Sequence, residues 1–251
     1  DMSRGLGDVY KRQHVICEKP MAMTASEARN MLAAAQKARK KLAVGYRLHY
    51  DPFNQEAMRL GQNEVFGRVN YMECSLGYSY KPQEGSWKLK KSMGGGSLYN
   101  LGVYPIQGAR YTKGSEPRYV TAQATTQRKN IFREIPENYT WQLEWADGAL
   151  CNSFSGPTAP IDRLWAGCTD GFIELYPAYN YRGQKGQSTN GLMEFEPVWQ
   201  QQLQMDDFAY CVKNHLPSRV DGIQGLYDAL VIDAIHKSIE SGGQRVKVES
   251  I

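Results

Sequence analysis

The chain has 251 residues, 41% of them hydrophobic, which is enough for one large domain or two small ones with a packed core. Its net charge of +4 comes from 30 basic and 26 acidic residues spread along the sequence, without the basic clustering of a nucleic-acid binder, and no apolar run approaches the roughly 20 residues of a spanning helix. Cys17, Cys74, Cys151, Cys168 and Cys211 form no Cys-x-x-Cys pair, and His14, His49, His215 and His236 lack ligand spacing, so neither a disulfide framework nor a metal site is expected.

Residues 1–13 read as a non-native leader, since they lack a secretory pattern and their tail resembles translated sequencing adapter. Gly5-Leu6-Gly7 has neither the preceding strand nor the third glycine of a phosphate loop. The apolar run His14 to Cys17 predicts a buried strand, and Glu18-Lys19-Pro20 follows at its carboxyl end, where doubly wound α/β folds bind ligands. Thr24 and Glu27 form a capping box for a helix with Ala28, Met31, Leu32 and Ala35 at helical spacing, and its basic end at Lys37 to Lys41 suits the helix dipole. A second strand is expected over Leu42 to Tyr46, then Arg47 and His49, then a helix from Phe53 to Leu60. Met72, Cys74, Leu76 and Tyr78 alternate with polar residues, as do Trp141, Leu143 and Trp145; further strand-like runs fall near 120–125, 149–154 and 172–176. Ala146-Asp147-Gly148 and Thr169-Asp170-Gly171 mark hairpins. Two helical patterns close the chain, one on Met205, Phe208, Ala209 and Val212, the other on Ile223, Leu226, Tyr227, Leu230 and Ala234, followed by a strand from Arg245 to Val248. The fold class is α+β: a large, mostly antiparallel sheet with helices on one face, preceded by the last part of a Rossmann-type α/β domain.

Between the first two of these strand groups lies Gly94-Gly95-Gly96-Ser97, three permissive glycines and a natural helix cap. Asn100 and Tyr104 follow one turn apart, and Pro105, having no amide proton for the carbonyl of Leu101, is expected to kink the helix and expose the Tyr104 phenol. On these residues alone Tyr104 is either a site residue or a packing residue.

Glu18-Lys19-Pro20, Gly45-Tyr46-Arg47-Leu48-His49-Tyr50-Asp51-Pro52, Trp87-Lys88-Leu89-Lys90-Lys91, the glycine stretch and Gly108-Ala109-Arg110-Tyr111 occur in an order that resembles the glucose-fructose oxidoreductase, inositol dehydrogenase and rhizopine-catabolism (Gfo/Idh/MocA) family, nearest its glucose-fructose oxidoreductase branch. The resemblance runs from about residue 14 to the end. It implies hydride transfer between NADP or NAD and a hydroxyl carbon of a sugar or polyol, an amino-terminally truncated chain that is inactive alone and binds neither dinucleotide tightly, a Rossmann remnant over residues 14–47, and a substrate-binding and oligomerisation domain over residues 48–251. It also implies a homo-oligomer formed through the open sheet face. The residue choosing between NAD and NADP, and any export signal, would precede this chain, so localisation stays open.

The same resemblance implies that Lys19 and Tyr104 are catalytic. A phenol ordinarily titrates near 10, and a neighbouring ammonium favours its phenolate. Glu18, Lys19, Pro20, Arg47, Trp87, Lys88 and Tyr181 are then cofactor contacts, and Asn100, Tyr104 and His49 contact substrate. Lys88 replaces a family arginine and loses the planar fork; Asn100 replaces an aspartate and cannot carry a proton as a carboxylate does. Arg47 and His49 read equally well as a surface ion pair and a strand-end histidine. A non-catalytic sugar-binding or oligomerising module, a trans-dihydrodiol dehydrogenase and a redox-assisted glycosidase remain open as alternatives on the same scaffold.

Overall fold

The computed structural model describes residues 13–83 and 85–251. Apart from Gln13, the expected leader lies outside the described residues. In chain order the elements are β1 (Val15–Cys17), α1 (Ala25–Ala38), β2 (Leu42–Val44), α2 (Pro52–Gln62), β3 (Val69–Gly77), α3 (Val103–Lys113), β4 (Tyr119–Thr125), β5 (Asn138–Glu144), β6 (Leu150–Gly156), β7 (Ile161–Cys168), β8 (Gly171–Leu175), β9 (Gly186–Ser188), β10 (Gly191–Met193), α4 (Gln200–Lys213), α5 (Gly222–Glu240) and β11 (Val246–Lys247). They divide into two compact units, one holding the chain up to Asp51 with Val198–Leu230, the other Pro52–Pro197 with Val231–Ile251.

In the first unit β1 and β2 pair in parallel, with Cys17 opposite Val44, as in a piece of a Rossmann sheet. Helix α1 begins with the expected capping box: Glu27 N–H donates to Thr24 Oγ1 at 3.2 Å and Thr24 N–H to Glu27 Oε2 at 3.1 Å, a cap that stabilises a helix by about 1 kcal/mol. Its Ala28, Met31 and Ala35 are buried. Helix α4 departs from expectation, because Met205 is 63% exposed while Gln200, Gln204, Phe208 and Cys211 face inward. The glutamines are buried because partners await them. Arg47 Nη1 donates to Gln200 Oε1 at 2.5 Å, Gln200 Nε2 to Asp51 Oδ2 at 3.1 Å, and Gln204 Nε2 to the Val44 carbonyl at 3.1 Å.

The second unit is built on a nine-stranded sheet of order β10-β9-β8-β7-β3-β6-β5-β4-β11, antiparallel throughout except for the central β3–β6 pair. Met72, Cys74 and Leu76 of β3 and Trp141 and Leu143 of β5 are buried, and α2 and α3 pack over β8 and β3. Tyr78 lies past the end of β3 and is 41% exposed. On the alternate positions Tyr71, Gln142, Asn152 and Arg163 carry a polar network, with Asn152 Nδ2 donating to Tyr71 Oη and Arg163 paired to both Glu73 and Glu174.

Candidate active site

In the first unit the site residues gather where the parallel strands end. β1 stops at Cys17, and an exposed Glu18 and half-buried Lys19 and Pro20 follow it. β2 stops at Val44, two residues earlier than expected: Gly45 N–H still donates to the Cys17 carbonyl at 2.7 Å, but Tyr46 N–H turns back to the Val44 carbonyl at 2.7 Å. A Cβ on Gly45 would stand 3.2 Å from Glu18 Oε2, so the two strand ends lie side by side. Arg47 and His49 fall on a 3-10 turn, Arg47–Tyr50, rather than on a strand end. Arg47 is 4% exposed and bonded to Gln200; the His49 carbonyl accepts from Arg219 at 3.4 Å. Tyr46 donates to Asp228 at 2.6 Å and Tyr50 to Asp207 at 2.7 Å, which ties this turn to α5 and α4. Burial, then the Asp207 carboxylate, pushes the Tyr50 phenol well above its ordinary pKa, so it stays a neutral donor.

This end of the sheet has features that the nicotinamide half of a dinucleotide uses: a lysine follows the carboxyl end of one parallel strand, and a glycine that admits close backbone approach follows its neighbour. No glycine-rich turn joins strand to helix among the described residues, so a pyrophosphate cradle is not part of this region. No group of three His, Cys, Asp or Glu side chains suited to a metal occurs among the described residues.

In the second unit the glycine stretch folds back on its own chain. Gly95 N–H donates to the Lys90 carbonyl and Gly96 N–H to the Lys88 carbonyl, and a Cβ on Gly95 would stand 2.7 Å from the former. The glycines therefore bind the Trp87–Leu89 turn to the start of the stretch that leads into α3. Trp87 is 45% exposed, and Lys88 Nζ lies 5.9 Å above the Tyr80 ring. Ser97 is not a helix cap. It is buried against β6, and its hydroxyl donates to the Ser155 carbonyl at 3.0 Å and approaches that of Glu137 at 3.4 Å.

Leu98–Gly102 forms a π turn leading into α3, an i→i+5 arrangement suited to a chain in which residue 105 has no amide for the carbonyl of Leu101. The proline thus widens the helix, and the expected exposure of the phenol does not follow: Tyr104 is 8% exposed, its ring centroid 6.2 Å from that of Tyr179. Asn100 sits half-buried on the π turn. Tyr181, two residues beyond Tyr179, is 59% exposed. Sequence reasoning missed Gln200, Gln204, Asp228 and Tyr179; for the glutamines the i, i+4 spacing was a usable signal, whereas Tyr179 lies in an irregular segment with none.

Beside the π turn, the His236 ring lies 5.7 Å from that of Tyr99 and edge-on at 6.5 Å from that of Tyr139, with Nε2 buried and without a hydrogen-bond partner. Burial pushes this imidazole below its ordinary pKa; Asp233 and Glu240 act against that shift and Lys91 with it. The unfolded chain then binds more protons just below about pH 6.5, so stability rises with pH through that window and levels off above it. The urea midpoint of His236→Phe is expected to vary less between about pH 5 and pH 7 than that of the wild type. His14, whose pKa is also lowered by burial, contributes equally to both proteins. Equal slopes would contradict this assignment.

A short parallel pair followed by a lysine, and a mostly antiparallel sheet overlaid by a helix that carries a tyrosine just past a π turn, define the class as part of a Rossmann fold with an α+β domain. The chain belongs to the Gfo/Idh/MocA oxidoreductase family. Residues 8–46 match the model of the oxidoreductase family's NAD-binding Rossmann fold, and residues 54–174 that of the GFO/IDH/MocA C-terminal domain. The structure resembles the aldose-aldose oxidoreductase of Caulobacter crescentus with a TM-score of 0.93 and 31% identity, covering 98% of this chain and 75% of that one. Among curated proteins it is similar to the NADP D-xylose 1-dehydrogenase of Haloarcula marismortui, 21% identical over 90% of this chain and 66% of the relative. A D-xylose 1-dehydrogenase of Haloferax volcanii is 24% identical over 91% and 71% respectively. The chain thus spans about two thirds of the length of these curated relatives. No helix among the described residues is long and apolar enough to cross a membrane.

Proposed function

We propose that the protein is an NAD(P)-dependent oxidoreductase moving a hydride between the cofactor and a hydroxyl-bearing carbon of an aldose or related polyol. The reading is carried by the likeness of nearly the whole chain to an aldose-aldose oxidoreductase at 31% identity, and the names of the two xylose dehydrogenases support the same substrate class. Bound NAD(P) supplies the hydride acceptor or donor. The remaining tasks belong to the chain. Tyr104 exchanges the hydroxyl proton, and the Lys19 ammonium offers three donors to substrate oxygens. Asn100 and His49 hydrogen-bond further hydroxyls. Glu18, Lys19 and Pro20 hold the nicotinamide end; Trp87, Lys88 and Tyr181 add cofactor contacts, and Arg47 contributes by fixing the turn that carries His49.

A second copy of the chain covers the outer sheet face, where the rings of Tyr71 and Trp165 stand 6.1 Å apart amid polar side chains. Light scattering is expected to give a multiple of the 28.4 kDa protomer mass for this chain.

The test of the activity uses the protein expressed from its complete gene, mixed with NAD or NADP and a panel of aldoses, cyclitols and dihydrodiols. Reduced-nicotinamide absorbance is expected to change with at least one aldose. Sugar binding detected by calorimetry with no spectral change for any substrate would replace this reading by a non-catalytic sugar-binding module.

A further inference from the structure

We propose that Tyr179 is the positioning residue for Tyr104, an inference that rests on reading Tyr104 as the acid–base group. Tyr179 follows β8 in an irregular segment, yet its backbone is fixed from two sides. The Asp162 carboxylate on β7 accepts both the Ala178 N–H, at 2.8 Å, and the Tyr179 N–H, at 2.7 Å. Asn54 Nδ2 on α2 donates to the Ala178 carbonyl at 2.9 Å. A buried carboxylate and a buried amide, each from a different element, are therefore spent on holding two residues of a loop.

What this clamp aims is a ring. Tyr179 is 1% exposed, and its ring lies at 33° to that of Tyr104. Its phenolic end lies over Gly108, one helical turn beyond Tyr104, where a Cβ would stand 2.8 Å from Tyr179 Oη. The Tyr179 side chain thus spans one face of α3 from residue 104 to residue 108, and only glycine at 108 leaves room for it. Burial, then Cys74, Cys151 and Asp162, raises its phenol far above the ordinary value, so Tyr179 stays neutral and takes no proton itself. It forms a wall. Removing that wall frees the Tyr104 ring to take other orientations, and small misplacements of a reacting group lower rates steeply.

The test labels tyrosine rings with carbon-13 and assigns the Tyr104 signal as the one lost in Tyr104→Phe. Tyr179→Leu is expected to shift and broaden the Tyr104 ring signals, whereas Tyr179→Phe, which keeps the ring, leaves them near their wild-type positions. Gly108→Ala, which displaces Tyr179 without deleting it, is expected to move them as well, and serves if Tyr179→Leu does not fold. In turnover, Tyr179→Leu is expected to lower kcat about tenfold with KM within about twofold, and Tyr179→Phe to restore the rate. Unchanged Tyr104 signals in both Tyr179→Leu and Gly108→Ala would overturn the proposal. If those signals move but Tyr104→Phe keeps the full rate, the acid–base reading of Tyr104 falls while positioning by Tyr179 stands.

Discussion

Tyr104→Phe is expected to lower kcat at least about a hundredfold, the low end for a positioned acid–base group and about 2.7 kcal/mol of barrier. The substitution deletes one oxygen and keeps the ring that packs against Tyr179, so folding should be nearly untouched. The π turn before it and α3 after it keep their backbone bonds, because neither depends on the phenol. Steady-state kinetics with reduced-nicotinamide absorbance, beside a thermal melt of the same preparation, separates lost chemistry from lost structure. A loss under about tenfold with an unchanged melt would remove Tyr104 from the acid–base role.

Glu137→Ala is expected to be the most destabilising change near the site, by about 3 kcal/mol. The Glu137 side chain is 0% exposed, paired to Arg128 Nε, and accepts the Gln127 N–H at 2.8 Å and the Arg128 N–H at 3.0 Å. Arg128 in turn donates to the Tyr80 carbonyl at 3.1 Å, so the pair ties the loop before β5 to the segment after β3. Deleting the carboxylate leaves two N–H groups and a guanidinium without their acceptor. The figure sits at the low end of its range because the Arg128 side chain keeps 31% of its exposure and can reach water. Burial would raise this carboxyl, but the hydrogen bonds from Arg128 and Gln127 outweigh it and hold the group below the ordinary carboxylate range. Its contribution is therefore present above the unfolded value of about 4.3 and is lost as pH falls through the lower folded value. Urea denaturation at neutral pH and at about pH 3 measures both effects, and a neutral-pH difference below about 1 kcal/mol would contradict the assignment.

Much of the frame is legible in the chain because it rests on local patterns. Alternation marks β3 and β5, the Thr24 and Glu27 pair marks the start of α1, and Asp147-Gly148 and Asp170-Gly171 mark real hairpins. β7, β9 and β10 were not read as strands. The last two have three residues each, Gly-Gln-Ser in β9 and Gly-Leu-Met in β10, so their extended backbone comes from pairing, β9 with β8 and β10 with β9, and not from their own preference. Ser97 looks like a cap in sequence, yet its hydroxyl finds a better-buried acceptor at Ser155, 58 residues away. Pro105 marks an irregularity correctly, but whether the helix bends outward or widens depends on what packs over Tyr104.

By itself the sequence determined the alternation of the sheet, the helix starts, and the order of motifs that carries the family, because each depends on residues a few positions apart. The tertiary structure alone decided which polar side chains turn inward. Gln200 faces the core because Arg47, 153 positions earlier, needs an acceptor there, and Tyr179 lies on Tyr104 because Asp162 and Asn54 hold its backbone. Burying a polar group is unfavourable unless its partner is present, and no local pattern announces a partner supplied by a distant part of the chain.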